Sequence, residues 1–150
     1  MKVRTKIKFK KLTNNAVIPT KAHPDDAGYD LYASLSEEMI FIPPHQTLKI
    51  PTDIAMAIPK GYFGGIYARS GLASKQGLRP ANAVGVCDSS YRGNIIVALH
   101  NDSERDQFIH NHDRIAQLII QPYLNLDLEE VEELDETYRG DGGFGSSGRQ

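Results

Sequence analysis

A chain of 150 residues, 40% hydrophobic and 24% charged, is sized for one domain with its own core; at this length folding removes roughly 68–70% of the unfolded chain's surface from water. A formal net charge of −2 excludes recruitment of a polyanion by bulk electrostatics, so any phosphate recognition must be local, and neither a nucleic acid nor a membrane is expected as partner. One cysteine, Cys87, excludes an internal disulfide framework, and five histidines out of step with it give no zinc spacing; a reducing cytoplasm is the expected home.

In chain order, residues 2–10 alternate charged or polar side chains with Val3, Ile7 and Phe9, the period of a half-buried strand whose lysines guard an edge. This N-terminal stretch has no apolar run of signal-peptide length, and nowhere do about eighteen apolar residues run uninterrupted, so a soluble, non-exported protein is expected. Short runs rich in β-branched residues follow between turn signals: MIFI, TLKIP, IAMAIP, FGGIYA, NIIVALHN and RIAQLIIQPY. Eight prolines and thirteen glycines punctuate them. The single helical candidate is SGLASKQ, residues 70–76, set between glycines. Many short strands and almost no helix predict an all-β sandwich or barrel. The stretch DLEEVEELDE, residues 127–136, holds seven acidic residues and reads as a strand or linker with a solvated face. It separates a core, residues 1–137, from YRGDGGFGSSGRQ, residues 138–150, a tail of five glycines around a lone Phe144. Ordering such a tail costs roughly 1–2 kcal/mol per residue in backbone entropy, so fraying is its default state.

Two short motifs carry no chemistry. GFGSSG, residues 143–148, fits G-x-G-x-x-G, but a dinucleotide site needs a helix after it and only Arg149 and Gln150 follow. The cluster His110-Asn111-His112-Asp113 lacks a second ligand group at a fitting spacing and reads as a solvated turn.

Three internal stretches read as loops placed to hold something: AGYDLYAS at 27–34, ARSGLASKQGL at 68–78 and ANAVGVCDSSYRGN at 81–94. The last is predicted to be a β-hairpin with Asp88 near its turn. Taken singly, each also fits a structural role: Asp88 organising the turn, Arg69-Ser70 capping a helix, Tyr91 packing across strands. Together with DRIAQLI and RGDGGFGSSG they occur in the order and spacing of the five motifs of the homotrimeric dUTP pyrophosphatases, and the chain resembles that family from residue 27 to the end.

The resemblance implies a distorted jelly-roll barrel with one short helix and a flexible tail, assembled as a homotrimer with active sites at subunit interfaces. It implies attack of water on the α-phosphorus of dUTP, with Mg²⁺ as cofactor. Asp88 matches the family carboxylate that orients and deprotonates the water. Arg69, Ser70, Gly71, Gln117 and Arg139 match phosphate contacts; Asn82 and the backbone at Gly85 match readers of the uracil edge, and Tyr91 matches the residue beneath the deoxyribose. In the tail, Phe144 matches the aromatic that stacks on uracil, while Gly145 and Ser146 approach the phosphates, making residues 138–150 a lid. Mg²⁺ keeps most of its shell from phosphates and water, so Asp30 is assigned to its outer hydration sphere or to structure, not to direct coordination. Ser90 departs from the acidic residue often found there. The related dCTP deaminases share the fold and an R-S-x-L-A stretch, but Ala98 stands where they need a glutamate. A non-catalytic nucleotide sensor is the alternative from another class, and the joint retention of Asp88, Arg69, Arg139 and Phe144 argues against it as the sole role. If a virus encodes the chain, host cytoplasm or nucleus is the expected compartment.

Overall fold

The computed structural model describes residues 6–148. Eleven strands occur among them, all paired antiparallel: β1 Lys8–Lys11, β2 Tyr29–Tyr32, β3 Met39–Ile42, β4 Thr47–Pro51, β5 Ile54–Ala57, β6 Tyr62–Tyr67, β7 Leu78–Pro80, β8 Gly85–Cys87, β9 Ile96–Asn101, β10 Gln107–His110 and β11 Arg114–Pro122. They do not close into one ladder. They form four sheets, β2-β11-β6-β8, β4-β9-β7, β1-β5 and β3-β10, an all-β arrangement of the jelly-roll type.

Alternation places the core. Along β9, Val97, Leu99 and Asn101 point inward while their neighbours are more exposed, and Leu31, Ile42, Ile50, Ile54, Ile115 and Leu118 join them from other strands. The one polar intruder at the end of β9, Asn101, is fully buried and satisfied: its amide donates to the carbonyls of Ile42 and Arg105, and its oxygen accepts from Ser103. Gly64 on β6 lets the sheet pack tightly, since a Cβ there would come within 2.9 Å of methyl groups of Ile58 and Leu118.

The strand runs read from the sequence coincide with β3, β4, β5, β6, β9 and β11, but two expectations change. The stretch 27–34, read as a loop, contains β2, and β7 begins at the last residue of the stretch 68–78; their three or four residues, with Asp and Pro among them, are too few to show a period. Among the described residues helical structure spans 70–76, where the sequence places it, with Leu72–Gln76 wound as one wide turn; no side chain caps that turn, so Ser70 is not its cap. It ends on Gly77 at φ 68°, whose N–H closes back on the Leu72 carbonyl. Finally, residues 81–94 are not a hairpin: β8 pairs with β6, whereas β9 pairs with β4 and β7, so residues 88–95 cross from one sheet to another. Apolar runs flanking a turn look alike in both arrangements.

Lys2–Thr5 of the predicted N-terminal strand lie outside the described residues, and β1 itself is exposed at all four positions. Phe9 joins Ile7, Ile18, Tyr29 and Met56 in an apolar groove on the surface of the chain. Residues 127–136 form no strand and lie exposed.

The β4–β5 turn is held by Asp53, which accepts hydrogen bonds from Ser34, Thr13 and Asn94. Burial alone would push its carboxyl up, but those three donors outweigh burial and hold it below the ordinary 3.8. A depressed folded-state pKa stabilises the fold above the unfolded value and is lost as pH falls through the folded one. Acid titration of unfolding free energy should therefore decline below about pH 4, and Asp53→Asn should flatten that decline.

Candidate active site

Two pockets and the tail divide the residues singled out by the sequence. The first pocket, about 210 Å³, is formed by β8 and the crossing segment and holds Asn82, Gly85, Asp88 and Tyr91. A tight turn, with Ala83 at φ 61° and the Val84 N–H donating to the Asn82 carbonyl at 2.6 Å, brings the Asn82 side chain beside Gly85. A Cβ on Gly85 would lie 3.5 Å from the Asn82 amide nitrogen and 3.1 Å from Ile66, so the absence of a side chain leaves the β8 backbone open beside that amide. Asp88 follows β8 directly. Its carboxylate is exposed and makes no hydrogen bond or ion pair among the described residues, while its carbonyl accepts from the Tyr91 N–H at 3.1 Å. The Tyr91 hydroxyl donates to the Asn94 carbonyl at 2.8 Å, folding the ring back over Gly93, where a Cβ would come within 2.6 Å of that hydroxyl.

The second pocket holds Asp30, Arg69, Ser70, Gly71 and Gln117. Strand register builds it: Gln117 of β11 stands opposite Asp30 of β2 on one side and Tyr67 of β6 on the other, and Arg69 lies two residues beyond Tyr67. The Arg69 Nε donates to Asp30 Oδ1 at 2.9 Å, and Arg114 Nη1 lies 3.6 Å from Asp30 Oδ2. Asp30 is only 14% exposed in its side chain, so these two cations are what make its charge tolerable there. In return, the carboxylate fixes the Arg69 guanidinium, whose Nη1 also reaches the Arg114 carbonyl at 3.5 Å, leaving Nη2 to meet an anion. The Gln117 amide donates to the Ala68 carbonyl at 2.9 Å, and a Cβ on Gly28 would push the Gln117 side chain out of this place.

The tail places its residues apart from both pockets. Arg139 donates through Nε to the Gly142 carbonyl at 2.8 Å, and successive turns carry Phe144 at φ 51° and Gly145 at φ 91°. The Phe144 ring is fully exposed, and Tyr138, Arg139, Gly145 and Ser146 line a hollow made only of tail residues. A single chain thus brings Asn82, Gly85, Asp88 and Tyr91 together, gathers the Arg69 and Gln117 group elsewhere, and joins neither to Phe144.

Sequence reasoning did not single out Arg114, Gly28 or Asn94, although all three stand inside the quoted motifs. His110 and His112 form the turn between β10 and β11, with His112 at φ 69°. Ala98 lies on β9 opposite Lys49. Among the described residues no helix is long and apolar enough to cross a membrane.

This arrangement has close relatives. The dUTPase family matches residues 14–148. The deoxyuridine 5'-triphosphate nucleotidohydrolase of Corynebacterium glutamicum is 46% identical over 144 residues, covering 95% of each chain, and that of Arabidopsis thaliana is 46% identical over 94% of this chain and 82% of its own. Among solved structures, a dUTPase of Staphylococcus bacteriophage 80alpha with bound dUpNHpp superposes with a TM-score of 0.87 at 31% identity, covering 97% of this chain and 99% of that one. A dUTPase of S. aureus phage phi11, described with a structural Mg(II) ion, gives 0.79 at 28% identity, covering 88% of this chain and 100% of that one. With a family match across nearly all its length, this chain belongs to the dUTPase family.

Cys87 reports on the first pocket. Burial pushes its thiol up and the Asp88 charge pushes it further, against a smaller opposing pull from Arg92. Removing that charge lowers the thiol pKa and raises the thiolate fraction at any given pH. Asp88→Asn should therefore speed reaction of Cys87 with a disulfide reagent at pH 8 by a few-fold, with burial still limiting the rate.

Proposed function

We propose that this protein hydrolyses dUTP to dUMP and pyrophosphate, removing a precursor of uracil in DNA and supplying dUMP for thymidylate synthesis. The observation that carries this reading is the sharing of one pocket by Asp88, a carboxylate without a partner among the described residues, with Asn82, Gly85 and Tyr91, in a chain that matches the dUTPase family over residues 14–148.

In this mechanism Asp88 orients a water and takes its proton as the oxygen bonds to the α-phosphorus. The bond from that phosphorus to the bridging oxygen breaks, and pyrophosphate leaves with the electron pair. A carboxylate is a weak base for water, so most of the acceleration comes from positioning and from neutralising phosphate charge. Arg69, held at the correct angle by Asp30, and Arg139 from the tail meet phosphate oxygens. Ser70 donates near the leaving group; Gly71, Gln117, Gly145 and Ser146 complete the polyphosphate contacts. Asn82 and the bare backbone at Gly85 present donors and acceptors to the uracil edge, a kind of match that rejects a wrong pattern by about 10⁴ or more. Tyr91 lies beneath the deoxyribose, where a 2′-hydroxyl would collide. Phe144 stacks on uracil for roughly 1–3 kcal/mol, too little by itself to order the tail, so closure waits for the triphosphate.

Mg²⁺ fits this donor set. Among the described residues no three His, Cys, Asp or Glu side chains converge to cage a metal, and Asp30 is already engaged by Arg69 and Arg114. An ion that takes its oxygens from phosphate and water suits such a site, with Asp30 no nearer than its outer hydration sphere. When bound, it supplies charge neutralisation on the phosphates.

Separation of the three groups on one chain supports a homotrimer in which each site draws on more than one copy. Two apolar surfaces support it as well: the groove around Phe9, and an arm after β11 on which Leu124, Leu126, Leu128 and Leu134 are 73–100% exposed. The cytoplasm, or a host's cytoplasm or nucleus, is where the substrate pool lies.

Asp88→Asn should retain nucleotide binding while slowing hydrolysis by about 10²–10⁴, measured by pyrophosphate release; near-normal turnover would remove Asp88 from the mechanism. A second experiment tests the assembly. Asp88→Asn with an intact tail, and a chain ending at Tyr138 with Asp88 intact, should each be nearly inactive. Co-refolded mixtures should recover hydrolysis, because only a tail acting in trans can meet an intact Asp88. Verified mixed trimers that stay inactive would place each tail over its own subunit or over none.

A further inference from the structure

Asp53 lines neither pocket. It sits 41 residues before Asn94, in the turn between β4 and β5, with φ 54°, a conformation that glycine or asparagine adopts more readily. The turn alone does not call for a carboxylate, yet its oxygens accept from three separate segments. Oδ2 receives the hydroxyls of Thr13 at 2.9 Å and Ser34 at 2.7 Å, and Oδ1 receives the Asn94 amide at 2.7 Å. The Asp53 backbone N–H donates to the oxygen of the same Asn94 amide at 2.9 Å, so that side chain is held at both ends. Neighbouring bonds complete the grip: Thr52 donates to the Ile95 carbonyl through its N–H and its hydroxyl, at 3.1 and 2.7 Å, and Ile95 donates to Ile54 at 2.8 Å.

The crossing segment is therefore fastened at its far end, and from there its geometry propagates inward. The Asn94 carbonyl accepts the Tyr91 hydroxyl at 2.8 Å, and the Tyr91 N–H donates to the Asp88 carbonyl at 3.1 Å. We propose that Asp53 is a positioning residue for the active site: by clamping Asn94 it fixes the Tyr91 ring against the sugar and sets Asp88 at the rim of the pocket. This rests on the assignment of Tyr91 to sugar discrimination and Asp88 to the attacking water. Asp53 touches no substrate and acts only through Asn94.

Asp53→Gly relieves the backbone and deletes the carboxylate end of the clamp, leaving only the backbone N–H on the Asn94 oxygen. Asp53→Asn suits the same backbone and keeps an oxygen for the Asn94 amide. Ser34→Ala removes a bond to the same carboxylate without touching Asn94, and so controls for stability alone. In Asp53→Gly, kcat/KM for dUTP should fall by about 10- to 100-fold, as for a misplaced reacting group, and the ratio of UTP to dUTP turnover should rise. Asp53→Asn should restore both to within about twofold, and Ser34→Ala should lower Tm with the ratio unchanged. Hydrogen exchange at the amides of residues 88–95 reads the clamp without turnover; it should accelerate in Asp53→Gly and stay at the wild-type rate in the other two. An unmoved ratio in Asp53→Gly, or equal effects of Asp53→Gly and Ser34→Ala on exchange, would overturn the proposal. Wild-type protein that fails to release pyrophosphate from dUTP, with exchange still accelerated only in Asp53→Gly, would sink the assigned activity and leave the clamp standing.

Discussion

Strand β11 is bonded along both edges, to β2 on one side and β6 on the other, and the register of those two ladders determines most of what the chain can do. Because side chains alternate faces, a slip of one residue in either ladder would turn Gln117 away from Asp30 and Arg69. The register is itself enforced by small residues: a side chain on Gly28 would displace Gln117, and one on Gly64 would strike Leu118. The anion-facing pocket is thus a by-product of sheet geometry, made polar by one arginine and one amide and kept electrically affordable by Asp30.

The other half of the chemistry depends on an irregular element. Residues 88–95 leave the sheet of β8 and enter that of β9, and such a crossing cannot draw order from a continuous ladder. Its order comes from side chains and caps instead: the Tyr91 hydroxyl on Asn94, the Arg92 guanidinium on the carbonyls of Ser89 and Tyr91, and the β4–β5 turn beneath. Placing an exposed carboxylate there leaves it without a partner among the described residues while its backbone is held, which suits the role proposed for Asp88. Cys87, one residue back, is buried under the same segment.

How much of this could be read beforehand follows from the physics of each element. Runs such as MIFI and TLKIP coincide with β3 and β4 because β-branched residues between prolines and turn formers leave few alternatives. The motif residues were legible as a set because their types and order suit a polyanion and a pyrimidine. Pairing partners were not: nothing local in GVC says that it pairs with β6 and not with β9, since both choices bury Gly85 and Cys87. Asp53 was illegible for a related reason. Its importance lies in meeting three segments at once, and a single Asp between Thr52 and Ile54 reads as an ordinary turn.

The pairings also impose an order of events on synthesis. β2 and β3, made early, find their partners in β11 and β10, made late. Their edges therefore stay unpaired while most of the chain is being translated, and closing such long loops is slow compared with forming local hairpins. During that interval the nascent chain exposes strands able to pair wrongly with other molecules, a state that chaperones exist to shield.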